Sequence, residues 1–417
     1  MVFVAGGAFA QGTGSSPLYD GSFIANKTGA IVVNFNYRLG ALGYLATEGG
    51  LTGNYGLYDQ LLLLQWVQSN IQYFGGNPAQ VTLFGESAGA ASVMFHLLSP
   101  LSTGLFHRAI MESNYIGLPY KSNDEMYLYA DTFSGHLGCK SSDLECLRSK
   151  SADDIVTAAD NTFRIPDPFH LNFTIALTFE PTIDGKFVPD QPIILLQQGK
   201  FQKMPIMLGN NLNEGIMFIY EIFTKPLDSV GYAAAILAFF GLQNERNILN
   251  MYPVPVDLFD DTRMQLSNVI TDYGFTCSVR YMAELFYKFN SGTGNQLYWY
   301  NFQHVISFSQ AWGPNFTFCD DYVCHGSELP FVFHSAKSGG FSFTPQERVL
   351  SEQMVLYWTS FANGGTANPN SSGRTSVQWP AYSPEAPAAL ILDIPIHVNS
   401  TFLQDTCNYW DRLGYLF

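Results

Sequence analysis

The sequence predicts an α/β fold with a mostly parallel central sheet that is covered by helices on both faces. Its candidate strands are short, nearly continuous apolar runs, which are typical of strands buried on both faces of a sheet. Helical stretches alternate with these runs, and the alternation favours parallel strands joined by right-handed crossovers. The 417 residues contain no internal repeat, low-complexity tract or long linker. We therefore predict a single domain over residues 1–417.

The individual elements follow from the same patterns. The predicted strands cover residues 2–4, 30–37, 81–84, 205–210, 296–302 and 389–394. The predicted helices include residues 55–71 and 351–363, and another helix begins at or near Ala88.

The composition restricts the possible partners. Hydrophobic residues make up 47% of the chain and charged residues 13%, which is enough apolar material for a large core. The net charge of −15 argues against nucleic acid and anionic membrane surfaces as partners. A cationic or neutral small molecule would not be repelled by this charge. The alternative is that the charge serves solubility alone. No run of 18 apolar residues is present, so no membrane span is predicted.

The cysteines and glycosylation sequons favour an oxidising compartment. Six cysteines allow 15 pairings, of which Cys139 with Cys146 and Cys319 with Cys324 would close short loops. Five N-x-[ST] sequons begin at Asn26, Asn172, Asn315, Asn370 and Asn399. Together these features predict a secreted or otherwise extracytoplasmic glycoprotein, although residues 1–10 do not resemble a signal peptide.

The segment Gly85-Glu86-Ser87-Ala88-Gly89 carries the main chemical signal. A G-x-S-x-G string alone is weak, but here a buried strand precedes it and helix formers follow it, as a nucleophile elbow requires. In such an elbow the serine sits in a strained turn, and glycines let the strand and the helix pass closely. Ser87 is therefore the candidate nucleophile, with a plain glycine turn as the alternative.

A serine nucleophile needs a histidine base and an acid that orients the histidine. Where the serine lies in such an elbow, the acid and then the histidine follow it along the chain. His325, in a turn-rich stretch, is the candidate base, and Glu214, just after the strand at 205–210, is the candidate acid. Asp184 competes with Glu214, but its Asp-Gly sequence favours a tight turn. Among the later histidines, His304 lies inside a strand pattern, whereas His334 and His397 are expected to satisfy local hydrogen bonds.

Backbone N–H groups must stabilise the oxyanion that forms during acyl transfer. The N–H of Ala88 is one candidate, and the glycine-rich turn Gly6-Gly7-Ala8 after the first strand offers others. We assign no metal ion and no cofactor to this chemistry.

Several motifs resemble the type-B carboxylesterase and cholinesterase family of α/β-hydrolases. They are FNYRLGALGYL, GNYGLYDQLLLLQWVQSNIQYFGGNPAQVTLFGESAGAASV, NEG, HGSELPFVF and YWTSFANGGTANPN. The resemblance implies an α/β-hydrolase fold and hydrolysis of small-molecule carboxylic esters. It implies that Ser87 is the nucleophile, Glu214 the acid and His325 the base. It also implies that the N–H groups of Gly7, Ala8 and Ala88 stabilise the oxyanion. It also implies that Glu86 shapes the electrostatics of the site.

The resemblance further implies a disulfide pattern. Two pairs match the family and a third pair remains: Cys139 with Cys146, Cys277 with Cys407, and Cys319 with Cys324. The third bridge would lie immediately before His325. It is either a simple loop staple or a device that stiffens the histidine loop.

Two departures from the family pattern bear on activity. Ala5 stands where the family usually has a histidine or tyrosine, and Ala8 stands where it often has a glycine. A methyl group at Ala8 is unfavourable if φ is positive. The chain also begins at the strand before the oxyanion turn, whereas family members carry a substantial segment ahead of it. We therefore expect an N-terminally truncated sequence that lacks the aromatic residue that stacks on choline.

The predicted function is a serine esterase, with a cholinesterase or a lipase as narrower possibilities. The alternative from another class is a non-catalytic adhesion or secreted structural protein, which typically lacks part of the triad. Three tryptophans are expected to pack in the core rather than bind a cation: Trp66, Trp299 and Trp312. The sequence leaves the oligomeric state open.

Overall fold

The computed structural model describes residues 1–163, 178–255, 260–369 and 375–415. Their strands form one sheet of eight strands in the order β2-β1-β3-β4-β5-β6-β7-β8, in which only β8 is antiparallel to its neighbour. The strands are β1 Val2–Val4, β2 Val33–Asn34, β3 Thr82–Glu86, β4 Arg108–Glu112, β5 Ile206–Asn211, β6 Leu297–Phe302, β7 Ala389–Leu392 and β8 His397–Asn399. The predicted α/β fold with a mostly parallel sheet is confirmed.

The helices connect and cover these strands. They are α1 Ser22–Thr28, α2 Gly40–Tyr44, α3 Tyr55–Asn70, α4 Ala88–Leu98, α5 Asn123–His136, α6 Leu144–Arg148, α7 Ala152–Phe163, α8 Pro192–Gln197, α9 Gly215–Ile222, α10 Ser229–Phe240, α11 Leu242–Met251, α12 Arg263–Ile270, α13 Cys277–Asn290, α14 Leu329–Val332, α15 Pro345–Gly364 and α16 Gln404–Leu413. A π-helical turn, Thr271–Thr276, joins α12 to α13. None of the described helices is long and apolar enough to cross a membrane.

Both faces of the sheet are buried because successive side chains of each strand point into different cores. In β6, Leu297 and Trp299 pack into a core with residues of α4, α10 and α13, whereas Tyr298 and Tyr300 pack into a second core with residues of α14 and α15. All six residues of β6 are buried. This two-sided burial explains why the strands appear in the sequence as continuous apolar runs.

Some element predictions were incomplete. Strands β4 and β8 were missed, and only Val33–Asn34 of the strand predicted over 30–37 pairs with β1. Helix α15 begins six residues before the predicted helix, because Thr344 and Glu347 form a capping box ahead of it. Trp66 was wrongly expected in the core, since 42% of its surface is exposed.

The structure contains three disulfides, which join Cys139 to Cys146, Cys277 to Cys407 and Cys319 to Cys324. Of the predicted glycosylation sites, Asn26 and Asn315 are exposed and Asn399 is half-buried. The remaining two, Asn172 and Asn370, lie outside the described residues.

Candidate active site

Ser87 lies in a sharp turn between β3 and α4, with φ 57° and ψ −124°. A non-glycine residue at positive φ is strained, and its conformation is maintained here by tight surroundings. A Cβ atom on Gly85 would lie 2.6 Å from the carbonyl carbon of Gly89, and one on Gly89 would lie 2.0 Å from the carbonyl oxygen of Val4. The glycines on each side of the serine are therefore required for the close approach of β1, β3 and α4.

The glycine-rich turn after β1 lies against this elbow. A Cβ atom on Gly6 would lie 3.1 Å from Cβ of Ser87. Gly7, Ala8 and Phe9 follow with φ values of 115°, 54° and 57°. Ala8 therefore has the positive φ at which its methyl group is unfavourable. No acceptor among the described residues bonds the N–H of Gly7 or Ala8. Ala88 is the first residue of α4, so its N–H has no intrahelical acceptor.

Glu214 and His325 form a direct hydrogen-bonded pair. His325 Nδ1 lies 2.5 Å from Oε2 of Glu214, and the exposed fractions of the two residues are 8% and 0%. Glu214 Oε1 also accepts hydrogen bonds from Ser113 Oγ at 2.5 Å and from the N–H of Asn211 at 2.6 Å. These bonds fix the carboxylate beside the imidazole, since both oxygens are engaged. Sequence reasoning missed Ser113, which has a positive φ of 55° just after β4.

The other ring nitrogen of His325 faces Glu86. Nε2 lies 3.1 Å from Oε1 of Glu86, although the two atoms are not aligned as a hydrogen bond. Burial alone would lower the pKa of His325, but the negative charges of Glu86 and Glu214 outweigh it and raise the pKa to about 9. Burial raises the pKa of Glu86 to about 7, and the positive charge on His325 opposes this shift. The site is therefore a densely charged cluster shielded from solvent.

Two further buried carboxyl groups belong to this cluster, and sequence reasoning missed both. Glu112 lies directly opposite Glu86 in the β3–β4 register and accepts a hydrogen bond from Trp358 Nε1 at 2.6 Å. Glu328 accepts one from Nδ2 of Asn211 at 2.5 Å. Burial raises the pKa of Glu112 to about 8 and that of Glu328 well above its usual range. Such neighbours cannot all be ionised together, so some of them hold protons at neutral pH.

Aromatic side chains enclose the imidazole on the side of α9 and the π-helical turn. The ring centroids of Phe218 and Phe275 lie 5.1 and 5.4 Å from that of His325, and the two phenyl rings stack on each other. The same turn contacts the residue after the acid, because Thr271 Oγ1 accepts a hydrogen bond from the N–H of Gly215 at 2.9 Å. The π turn thus lies beside His325 and beside the residue that follows Glu214.

The remaining candidates lie elsewhere. Asp184 caps a tight turn by accepting hydrogen bonds from the N–H groups of Lys186 and Val188. His334 and His397 make the local contacts that were predicted, to Ser351 and to the Pro395 carbonyl, respectively. His304, which was predicted to lie inside a strand, follows the end of β6 and contacts Asp393 and Glu347. In the part of the chain that the structure describes, no group of three or more potential ligands is arranged to hold a metal ion.

Known proteins are similar to this chain over most of its length. Residues 1–410 match the sequence profile described as the carboxylesterase family. The chain is 38% identical to the "Crystal protein" of Dictyostelium discoideum, in an alignment that covers all of this chain and 74% of the relative. It is 36% identical to a mouse cholinesterase and 33% identical to an acetylcholinesterase of Bungarus fasciatus, with 98% and 99% of this chain aligned to 68% of each. This chain belongs to the carboxylesterase family.

Proposed function

We propose that this protein hydrolyses carboxylic esters through an acyl-enzyme intermediate, with Ser87 as nucleophile, His325 as base and Glu214 as acid. The observation that carries the proposal is the elbow, in which Ser87 is held at positive φ at the end of β3. A strained serine of this kind persists only where the surrounding structure imposes it. The hydrogen-bonded pair of Glu214 and His325 supplies the other two groups that such a serine needs.

The reaction follows from the roles of these groups. Ser87 Oγ attacks the ester carbonyl while Nε2 of His325 takes the hydroxyl proton, and the N–H groups of Gly7, Ala8 and Ala88 stabilise the oxyanion. His325 then gives this proton to the departing alkoxide. Water repeats the sequence and releases the acid. Throughout, Glu214 keeps the proton of His325 on Nδ1, so that Nε2 can act as the acceptor.

The charges of the site set the expected pH dependence. His325 acts as a base only when it is neutral, and nearby carboxylates raise its pKa to about 9. Hydrolysis should therefore increase as pH rises toward this value. The buried carboxyl groups also make the site most accommodating to neutral or cationic substrates.

We propose an extracytoplasmic location for the enzyme. All six cysteines lie in the described residues, and all are paired. Disulfides of this number are typical of oxidising compartments. The exposed sequons at Asn26 and Asn315 would be accessible to glycosylation.

A secreted structural role is the second candidate. It is favoured by the 38% identity to a relative whose name, "Crystal protein", names no reaction. In that case the charged cluster would be an inherited feature without turnover.

One experiment separates the two functions. The purified protein and a Ser87→Ala variant are treated with a fluorophosphonate, analysed by intact mass and peptide mapping, and assayed with p-nitrophenyl acetate. A single phosphonyl group on Ser87, with hydrolysis that Ser87→Ala abolishes, would support the esterase. A folded wild-type protein that forms no adduct and hydrolyses no ester would contradict it and favour the structural role.

A further inference from the structure

The short loop closed by the Cys319–Cys324 disulfide, here called the disulfide loop, ends one residue before His325. Both cysteines are completely buried, whereas Asp321 and Tyr322 at the tip of the loop are exposed. The bridge packs against Ile216 of α9, the helix that begins directly after Glu214. The disulfide loop therefore packs on α9, the helix that follows Glu214.

A reciprocal pair of hydrogen bonds joins the disulfide loop to the residue before the acid. The N–H of Asn213 donates to the carbonyl oxygen of Val323 at 3.0 Å, and the N–H of Val323 donates to Oδ1 of Asn213 at 3.1 Å. Asn213 is adjacent to Glu214 in sequence, and Val323 is two residues before His325. The segments that carry the acid and the base are thus joined by this pair, in addition to the Glu214–His325 hydrogen bond and the bond from Asn211 Nδ2 to Glu328.

This reciprocal pair has a physical consequence for the Glu214–His325 hydrogen bond. Without the pair, the hydrogen bonds described between these two segments, which are over 100 residues apart in sequence, would be Glu214–His325 and Asn211–Glu328. Side chains at a catalytic site need neighbouring groups that restrict their position, because small displacements lower the rate sharply. The disulfide restricts Val323, and Asn213 passes this restriction to the acid.

We propose that Asn213 is a positioning residue for the Glu214–His325 pair, and that the Cys319–Cys324 bridge holds Val323 where Asn213 can bind it. This inference rests on the proposed esterase function for its kinetic effect. It assigns to the additional disulfide a part in the reaction, beyond that of a loop staple.

The first test replaces the side-chain acceptor. In Asn213→Ala we expect kcat for p-nitrophenyl acetate to fall roughly ten- to a hundredfold with little change in KM, since a displacement on the order of 1 Å can cost 10²-fold. Asn213→Asp keeps the acceptor oxygen and should retain most of the wild-type kcat. A folded Asn213→Ala protein with wild-type kcat would overturn the proposal, as would Asn213→Asp behaving like Asn213→Ala.

The second test removes the bridge. Cys319→Ser with Cys324→Ser should lower kcat by a similar factor, and adding Asn213→Ala to it should lower kcat little further, because both changes act on one connection. Fully additive losses, or no loss in the cysteine variant, would overturn the proposal. If Asn213→Ala does not fold, kcat of the cysteine variant alone tests the proposal, with a loss supporting it and a wild-type value contradicting it.

Matched variants control for general destabilisation. Asn368 forms a similar pair with the backbone of Trp379, donating from Nδ2 to its carbonyl and accepting from its N–H, but away from the site. The Cys139–Cys146 bridge closes a loop of similar length. Asn368→Ala, and Cys139→Ser with Cys146→Ser, should retain wild-type kcat even where the melting temperature falls. If these controls lose as much kcat as the site variants, the effect of Asn213 is one of general stability and the proposal is wrong.

A spectroscopic readout keeps the proposal separate from the esterase function. The proton between His325 Nδ1 and Glu214 should give a far-downfield proton NMR signal, because the bond is short and charge-assisted. We expect Asn213→Ala and the Cys319/Cys324 variant to broaden or remove this signal, and both controls to keep it. If the wild-type protein proves inactive, the esterase proposal fails while the signal still tests the positioning. An unchanged signal in both site variants would overturn it.

Discussion

Glu112 lies beside Glu86 in neighbouring strands of the sheet, and we expect Glu112→Gln to stabilise the protein by an amount that grows with pH. Burial raises the pKa of Glu112 to about 8, from an ordinary value of 4.5. The hydrogen bond from Trp358 Nε1 opposes this shift, and the charge of Glu86 adds to it. The folded protein therefore keeps a proton on Glu112 over a range of pH in which the unfolded chain releases it.

The size of the effect follows from these two pKa values. Below about pH 4.5 both states hold the proton, so the group has no effect on the free energy of unfolding. Between pH 4.5 and about 8 each unit of pH lowers that free energy by about 1.4 kcal/mol, and the loss reaches roughly 3 kcal/mol at pH 7. Above the folded pKa the loss is complete. Glutamine avoids it because it has no proton to release, and its amide oxygen can still accept from Trp358.

Urea unfolding of the wild-type protein and of Glu112→Gln, at intervals from pH 5 to pH 8, measures the difference. Glu347→Gln is a control of opposite sign. Although burial alone would raise the pKa of Glu347, hydrogen bonds from Ser307 and Thr344 lower it, so this variant should be the less stable one at neutral pH. A difference between wild type and Glu112→Gln that stays constant with pH, or that favours the wild type throughout, would refute the reasoning.

Two further changes test the site. Ala8→Gly should leave stability unchanged or raise it by up to about 1 kcal/mol in urea unfolding, because φ of 54° strains alanine but not glycine; a clear loss of stability would show that the methyl group makes a compensating contact. Glu86→Gln should shift the acid limb of kcat/KM for ester hydrolysis to lower pH, because it removes a negative charge 3.1 Å from Nε2 of His325 and so lowers the pKa of that residue. A pH profile that Glu86→Gln leaves in place would contradict this assignment of charge.

The parts of the fold that depend on local sequence could be predicted. The elbow around Ser87 follows from glycines at fixed positions between a buried strand and a helix, and the structure shows the close contacts that require them. The order of acid and base along the chain selected Glu214 and His325, which the structure places 2.5 Å apart. The early start of α15 was also available in the sequence, in the Thr344-to-Glu347 capping box.

The parts that depend on long-range register could not be predicted. Strand β4 has the sequence RAIME, and its charged ends, Arg108 and Glu112, conceal a buried strand because a charged residue is rarely buried. Only the β3–β4 pairing reveals that Glu112 lies opposite Glu86. The contact of Asn213 with Val323 likewise spans 110 residues and leaves no local pattern.

The π-helical turn Thr271–Thr276 lies between α12 and α13. A π turn contains one more residue per hydrogen-bonded ring than an α turn, so deleting one residue would let the segment continue as an ordinary α-helix. The wider turn holds its additional residue locally, so α12 and α13 would keep nearly the same rotational phase after such a deletion. The change would be confined to the turn, where Phe275 would shift relative to His325, whereas Cys277, the first residue of α13, would remain opposite Cys407. The length of this turn therefore determines the surroundings of the imidazole independently of the attachment of the C-terminal helix.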